Sequence, residues 1–486
     1  MLLYEAVLHD FYPTVPMTDF LYRQLIQELT EEIRSECRPV GSRMPSIRLL
    51  SQERGLSRST ILTAYDRLEA NGLISARPRS GYYVNGIAAG DQLAIKAPLI
   101  SQPESTPLPV TSAQVLVDIM ERGAAFDLVG VQEKELANEA LRRCLARAQR
   151  RQTSGEQNNY DEPAGLQRLR SLIANRLHAG GSHLSADDII ITSGCQHALL
   201  LALMATTQRG DVVAVESPGF YGIFQLFEAL GLKALELPSS AESGLSPDAL
   251  ELALQHWDIK AVVVSPNYST PTGACMPESS KQRILSLAQD RNLPIIEDDI
   301  YAELSFNEQR PRTLHSYDNQ GLVLLCSSVS KSLSRDLRIG WIVPGRYRER
   351  IKQLKLVTSL ASCRAQQQGL ADFLQEGSFD RHLRVRRQHL RQQYLQLLEM
   401  LGQYIPTLET CSRPQGGLAL WVELADSVDT LDLYGQCLEQ GIILTPGRLF
   451  TAQERYRNAL RISFAFPWTA RRREALELFG KIVTGQ

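Results

Sequence analysis

Apolar residues recur every fourth position at Leu21, Leu25, Leu29 and Ile33, behind Asp19, a residue type that caps helix starts. The spacing predicts an amphipathic helix over residues 19–33. Pro45-Ser46 then opens a short helix over 47–54, closed by Gly55. Ser57 opens a third over 58–71, with Ile61, Ala64, Tyr65 and Leu68 on its inward face and Gly72 at its end. Leu73-Ile74-Ser75-Ala76-Arg77 and Tyr82-Tyr83-Val84 flank Pro78-Arg79-Ser80-Gly81, which predicts a hairpin with a basic tip. Three helices and a hairpin in this order make a winged helix-turn-helix over residues 15–85.

The period then lapses. Residues 86–112 carry prolines at 98, 103, 107 and 109, a composition that predicts a semi-extended linker. From 113 to 486 helical stretches alternate with short apolar runs at 189–192, 211–215, 233–237, 261–264, 294–297 and 322–325. Buried β-branched runs separated by helices predict an α/β domain with a mostly parallel central sheet. In such sheets ligands sit at the carboxyl ends of the strands.

Composition narrows the class. A chain of 486 residues needs two or three domains, and 43% hydrophobic with 22% charged residues describes a soluble globular protein. No apolar run approaches the roughly 20 residues of a membrane span. No basic segment precedes the first apolar stretch, so no secretory signal is expected. The 8 cysteines are scattered without a Cys-x-x-Cys pair, which disfavours zinc and a disulfide framework and fits a reducing cytoplasm. The net charge of −2 hides an asymmetry: residues 1–37 hold two arginines and seven acids, whereas 38–84 hold eight arginines and three acids. On a docking fold, such a basic patch faces phosphates.

The third helix offers Ser57, Arg58, Ser59 and Thr60 at its amino end, where hydroxyls suit phosphates and an arginine can fork onto a guanine edge. Pro39-Val40-Gly41-Ser42-Arg43-Met44-Pro45-Ser46-Ile47-Arg48, Leu56-Ser57-Arg58-Ser59-Thr60, Leu68-Glu69-Ala70-Asn71-Gly72-Leu73-Ile74 and Gly81-Tyr82-Tyr83-Val84 closely resemble the GntR family of bacterial transcription factors. The resemblance implies binding of double-stranded operator DNA, with Arg48 and Arg58 at base edges and Gly81 against the DNA. The DNA-facing set expected on this basis is Arg43, Ser46, Arg48, Ser57, Arg58, Ser59, Thr60, Arg77, Arg79 and Gly81. Leu62 departs from relatives that carry a further arginine there.

In the large region, each predicted strand is followed by polar or aromatic residues. Ser193-Gly194-Cys195-Gln196 makes a glycine turn into a helix, an anion site of free amides. Phe220, Asn267, Thr270 and the adjacent Asp298 and Asp299 follow other strands. Ser327-Ser328-Val329-Ser330-Lys331 follows the last, with Arg338 seven positions on. A lysine set among small hydroxyls near a cation suits an amine with a lowered pKa.

This order and spacing resemble the fold-type I pyridoxal-phosphate enzymes, the aspartate aminotransferase superfamily, over roughly residues 125–480, with large and small subdomains. The resemblance implies pyridoxal 5'-phosphate bound as a Schiff base to Lys331, Asp298 on the pyridine nitrogen, Tyr301 on the ring hydroxyl and Phe220 stacked on the ring. Asp299 is the alternative acid, and the Asp-x-x-Tyr spacing favours Asp298. The phosphate falls to Gly194, Cys195, Gln196, Ser328, Ser330 and Arg338, with Tyr160 reaching over from a second subunit. Arg461 takes the substrate carboxylate. Thr270 stands where these enzymes place an asparagine, and Asn267 or Tyr301 is expected to compensate.

A GntR head on an aminotransferase-like body is the arrangement of the MocR subfamily. It implies a homodimeric, pyridoxal-phosphate-dependent regulator that senses the cofactor or a small amino compound. The rival is a working aminotransferase with a DNA-binding head; a third reading makes the body a dimerisation block only.

Overall fold

The computed structural model describes residues 25–26, 28–33, 37–70, 73–77, 80–84, 95–111, 114–121, 127–129, 138–307 and 309–485. The chain divides into a head up to Ala94 and a body from Ile95.

In the head, residues 25–26 and 28–33 are helical (α1), and α2 (Ile47–Arg54) and α3 (Arg58–Ala70) follow. The periodic stripe points inward as its spacing requires: Leu25, Leu29 and Ile33 meet Ile61, Ala64, Tyr65 and Leu68 in one core. Asp19 and Leu21, expected on the same helix, lie outside the described residues. Ser46 caps α2, its hydroxyl accepting from the Leu49 amide at 3.2 Å, and Gly55 ends it at φ 64°. Ser57 caps α3 through the Thr60 amide at 3.1 Å. The buried Tyr65 hydroxyl donates to the Pro45 carbonyl at 2.7 Å, which ties α3 to the turn before α2. Strands β1 (Ile74–Arg77) and β2 (Gly81–Val84) pair antiparallel as the wing. Gly81 enters β2 at φ 101°, a conformation closed to most side chains.

The body strands in chain order are β3 (Leu108–Pro109), β4 (Ile190–Thr192), β5 (Val212–Ser217), β6 (Lys233–Ser240), β7 (Gly244–Leu245), β8 (Ile259–Val264), β9 (Ile295–Asp298), β10 (Val323–Ser328) and β11 (Gly340–Val343). Among the described residues these nine form one sheet in the order β3-β6-β5-β8-β9-β10-β11-β4, with β7 against β6. The run β6-β5-β8-β9-β10 is parallel. Strand periodicity explains its unbroken apolar sequence. Val213, Val215, Ala261 and Val263 bury into the core on one side, and Ala214, Val262 and Val264 into the core on the other.

All six expected strands form, and β10 runs on through Ser328 into the lysine segment. Two features differ from expectation. Strand β11 has no counterpart among the expected runs: Gly340-Trp341-Ile342-Val343 is short and returns antiparallel between β10 and β4. A second sheet, of β12 (Thr410–Cys411), β13 (Ala419–Glu423) and β14 (Ala459–Ser463), carries Arg461.

The expected linker over 86–112 is not free throughout. From Ile95 the chain is strapped to the body. Lys96 bridges Thr410, the Ser101 hydroxyl donates to the Ser217 carbonyl at 2.5 Å, and β3 adds to the edge of β6. Prolines prevent helix here without preventing backbone pairing at a sheet edge. Among the described residues, no helix is long and apolar enough to cross a membrane.

Leu68→Ala removes a fully buried side chain at the centre of the head core. It is expected to destabilise the head by about 2–5 kcal/mol in denaturant unfolding of the full chain.

Candidate functional site

Two sites emerge, one on each unit. On the head, the arginines sort by their partners. Arg38 is paired with Glu32 at 2.6 Å, and Arg54 with Glu28 and Glu32 at 2.8 and 3.0 Å. Arg43, Arg48 and Arg58 are exposed, and no ion pair holds them among the described residues. Arg43 lies against the wing, its Nε 3.4 Å from where a Cβ on Gly81 would stand. Ser46 and Ser57 are exposed, but both hydroxyl oxygens serve helix caps. Thr60 shares a 2.8 Å hydrogen bond with Ser57. Ser59 is helical on α3, Arg77 ends β1, and Arg79 lies outside the described residues.

On the body, a cavity of about 510 Å³ opens at the carboxyl ends of the strands. Cys195, Gln196, Phe220, Thr270, Asp298, Tyr301, Ser328, Ser330, Lys331 and Arg338 line it, so most of the dispersed candidates converge. Each arrives by its own strand-to-loop turn.

Lys331 follows β10 and is half-buried. Desolvation, then Arg335 and Arg461, push its amine down to about 7, with Asp298 opposing. The amine is thus a nucleophile near neutral pH. Asp298 ends β9, buried, its Oδ1 accepting from Cys195 Sγ at 3.4 Å and the Ile300 amide at 3.3 Å. Burial raises it to about 6. Its neighbour Asp299 turns the other way, ion-paired to Arg310 and 2.7 Å from Asn267 Nδ2. The Cys195 thiol is pushed up by burial and by Asp298.

The anion cradle is built by close backbone approach. Gly194 sits at φ 88° before the Cys195–Thr206 helix, whose first amides have no helical partner. A Cβ on Gly194 would stand 2.6 Å from Arg338 Nη2, and one on Gly340 would stand 2.5 Å from the Gly194 carbonyl carbon. Arg338 itself lies at φ 50° and donates to the Ser193 carbonyl at 3.0 Å. Beside it the Ser330 hydroxyl is buried with no partner. The Ser328 hydroxyl accepts from the Ser330 amide at 3.2 Å.

Arg461 on β14 approaches from the second sheet, its Nε donating to Thr270 Oγ1 at 3.3 Å. Two candidates are not brought to the cavity. Asn267 is fully buried, its amide spent on Asp299 and, at 2.7 Å, on Lys281. It therefore cannot compensate for Thr270. Tyr160 is 80% exposed and lines no part of the cavity. Conversely Arg335, on the cavity wall and a principal cation acting on Lys331, is absent from the expected set. Its position four residues after the lysine was the available signal.

A model of bacterial regulatory proteins of the gntR family matches residues 21–84, and one of aminotransferase class I and II matches residues 129–479. The HTH-type transcriptional regulator YjiR of Escherichia coli (strain K12) is 39% identical over 467 residues, spanning 95% of this chain and 98% of that protein. The chain belongs to the MocR-type regulators. YdcR, a second HTH-type regulator of that strain, is 33% identical over 473 residues, again spanning 95% and 98%. Among solved structures, the body of this MocR-type regulator is similar to LysN, an α-aminoadipate aminotransferase from Thermus thermophilus complexed with N-(5'-phosphopyridoxyl)-L-leucine. The TM-score is 0.70 at 26% identity, over 77% of this chain and 95% of that one. A Pyrococcus horikoshii kynurenine aminotransferase in complex with PMP follows at 0.69 and 25%, over 77% and 95%.

In the MocR-type body, the amine of Lys331 is expected to react with an aldehyde probe along a pH profile centred near 7. Arg335→Gln removes a neighbouring positive charge and should move that midpoint upward. Reductive trapping across pH, read by mass, checks both.

Proposed function

We propose that the protein is a pyridoxal-phosphate-dependent transcriptional regulator whose head binds operator DNA and whose body, as a homodimer, senses the cofactor or an amino compound. The observation that carries this is the meeting, in one cavity, of a low-pKa amine with an anion cradle. The donor set fits the cofactor: an orphaned Ser330 hydroxyl, free helix amides, Arg338 and a backbone gap that only glycine leaves open. Pyridoxal phosphate supplies an aldehyde that condenses with amines and a ring that draws electrons from the attached carbon.

On this reading Lys331 would hold the cofactor covalently and would be the base beside a ligand amine. Asp298 would hold the ring nitrogen; its buried carboxylate, raised to about 6, would be stabilised as an anion by a protonated ring. Tyr301 and Thr270 flank the ring hydroxyl, and Phe220 covers one ring face. Gly194, Cys195, Gln196, Ser328, Ser330 and Arg338 receive the phosphate. Arg461 receives a ligand carboxylate through its fork. Tyr160 is the residue we assign to a second copy's cavity. In the head, Arg43, Arg48 and Arg58, without acidic partners among the described residues, read or grip DNA, joined by Ser59, Thr60, Arg77, Arg79 and Gly81. Ser46 and Ser57 act chiefly by fixing the helix starts.

Lys331→Ala is expected to abolish the visible cofactor absorbance and the mass added on borohydride reduction, with the melting transition retained. Arg58→Ala should weaken specific operator binding by about 1–3 kcal/mol, while Arg54→Ala, already neutralised by glutamates, changes it little. Footprints upstream of the protein's own gene, with and without pyridoxal phosphate and amino acids, test the coupling. An operator affinity and footprint indifferent to every ligand would remove the sensor function, and rapid keto-acid release would favour a working aminotransferase.

A further inference from the structure

The cavity at Lys331 continues past the groups described above. Across Ser330, Lys331 and Arg335 it opens into a second space of about 1190 Å³, between the Glu139–Arg151 and Ser378–Tyr404 helices. His382 fastens the latter helix to the lysine turn. Its Nε2 lies 2.9 Å from the carbonyl oxygen of Ser332, the residue after Lys331, and its Nδ1 3.3 Å from Asn138 Nδ2.

One helical turn on from His382, on the same face, stands Arg386. Its guanidinium is half-buried and has no carboxylate partner among the described residues. Other buried arginines of the body are neutralised, Arg310 by Asp299 and Arg472 by Asp127. Desolvation and the neighbouring Arg335 push Arg386 down to about 10. Of the three acids along this space, Glu376 pairs with Arg147 and Glu139 with Arg142, while Asp336 is exposed and forms no ion pair with Arg386. A half-buried guanidinium with no carboxylate partner is costly, and an incoming carboxylate offsets that cost with two parallel hydrogen bonds.

We infer that Arg386, with Arg335, forms a second acid-recognition site, so that the body selects amino compounds carrying an acidic group beyond the one assigned to Arg461. This rests on Lys331 being the amine-detecting group, and it narrows the effector class to dicarboxylic amino acids and their close acidic analogues. Arg386 is a binding residue in this role and takes no part in proton transfer.

The test uses the full chain loaded with pyridoxal phosphate and acid–amide pairs that differ in one charge. Cofactor absorbance is titrated with L-glutamate against L-glutamine, and L-aspartate against L-asparagine. In the wild type, at least one acid should bind about tenfold more tightly than its amide. Arg386→Gln should shrink that ratio below about threefold while leaving the amide's affinity unchanged. Arg386→Lys, which keeps the charge but loses the fork, should fall between and guards against a folding defect. Equal binding of acid and amide by the wild type, or an undiminished ratio in Arg386→Gln, would overturn the inference. If no amino acid perturbs the cofactor, the Lys331 reading fails instead. The acid site is then judged by calorimetry with glutarate, which has no amine: weaker binding to Arg386→Gln sustains it, and equal binding rejects it.

Discussion

Two carboxylates stand side by side at the end of a buried strand, and the rest of the site follows from how their charges are divided. Buried carboxylates without counter-charge are costly, so one of an adjacent pair must be neutralised by the protein itself. Asp299 is the one: Arg310 pairs with it, Asn267 bonds it, and Lys281 holds the other end of Asn267. That network consumes the asparagine which the chain offers nearby. It keeps Asn267 from the cavity, where Thr270, Tyr301 and Asp298 stand on the wall. Asp299 lies one residue past β9, where its contacts with Arg310 and Asn267 turn it from the cavity that Asp298 lines.

The amine opposite is governed by the same scarcity of counter-charge. Around Lys331 the protein gathers Arg335 and Arg461, and Asp298 is the principal group opposing them. Cations beside a desolvated amine favour its neutral, nucleophilic form, and they also make the cavity a place for anions. One arrangement therefore serves two ends: an amine ready to form a covalent bond and guanidinium forks ready to orient acids. The anion cradle draws on Arg338 together with helix amides and hydroxyls, and two glycines let the backbones approach.

Much of this was legible in the sequence because it is periodic or local. The four-residue stripe of α1, the serine caps of α2 and α3 and the apolar strands are patterns in neighbouring residues, and the structure follows them. Lys331, Asp298 and the Gly194 turn were legible because each stands at or within three residues of a strand's carboxyl end. What escaped has a different character. Strand β11 hides in the segment after the lysine because four residues carry no period. Arg335 and Arg386 lie in an arginine-rich background, and only three-dimensional placement brings them to the cavity walls. Asn267 failed as a candidate because its commitments, Lys281 and Asp299, are 14 and 32 residues away.

The strap between head and body adds a constraint on how a ligand can be reported. The covalent path from the wing enters the body at Ile95 and is bonded within a few residues to β5, where Ser101 donates to the Ser217 carbonyl and accepts from the Ser239 amide. Ser217 stands three residues before Phe220, and its own hydroxyl donates to the buried Glu236. A ligand that repositioned the turn at Phe220 would work against this hydrogen-bonded corner of the body. Regulation of DNA affinity needs only about 1–3 kcal/mol of coupling, the value of one or two such bonds. By reciprocity, operator DNA that prefers one setting of the strap must tighten or loosen the ligand by the same factor.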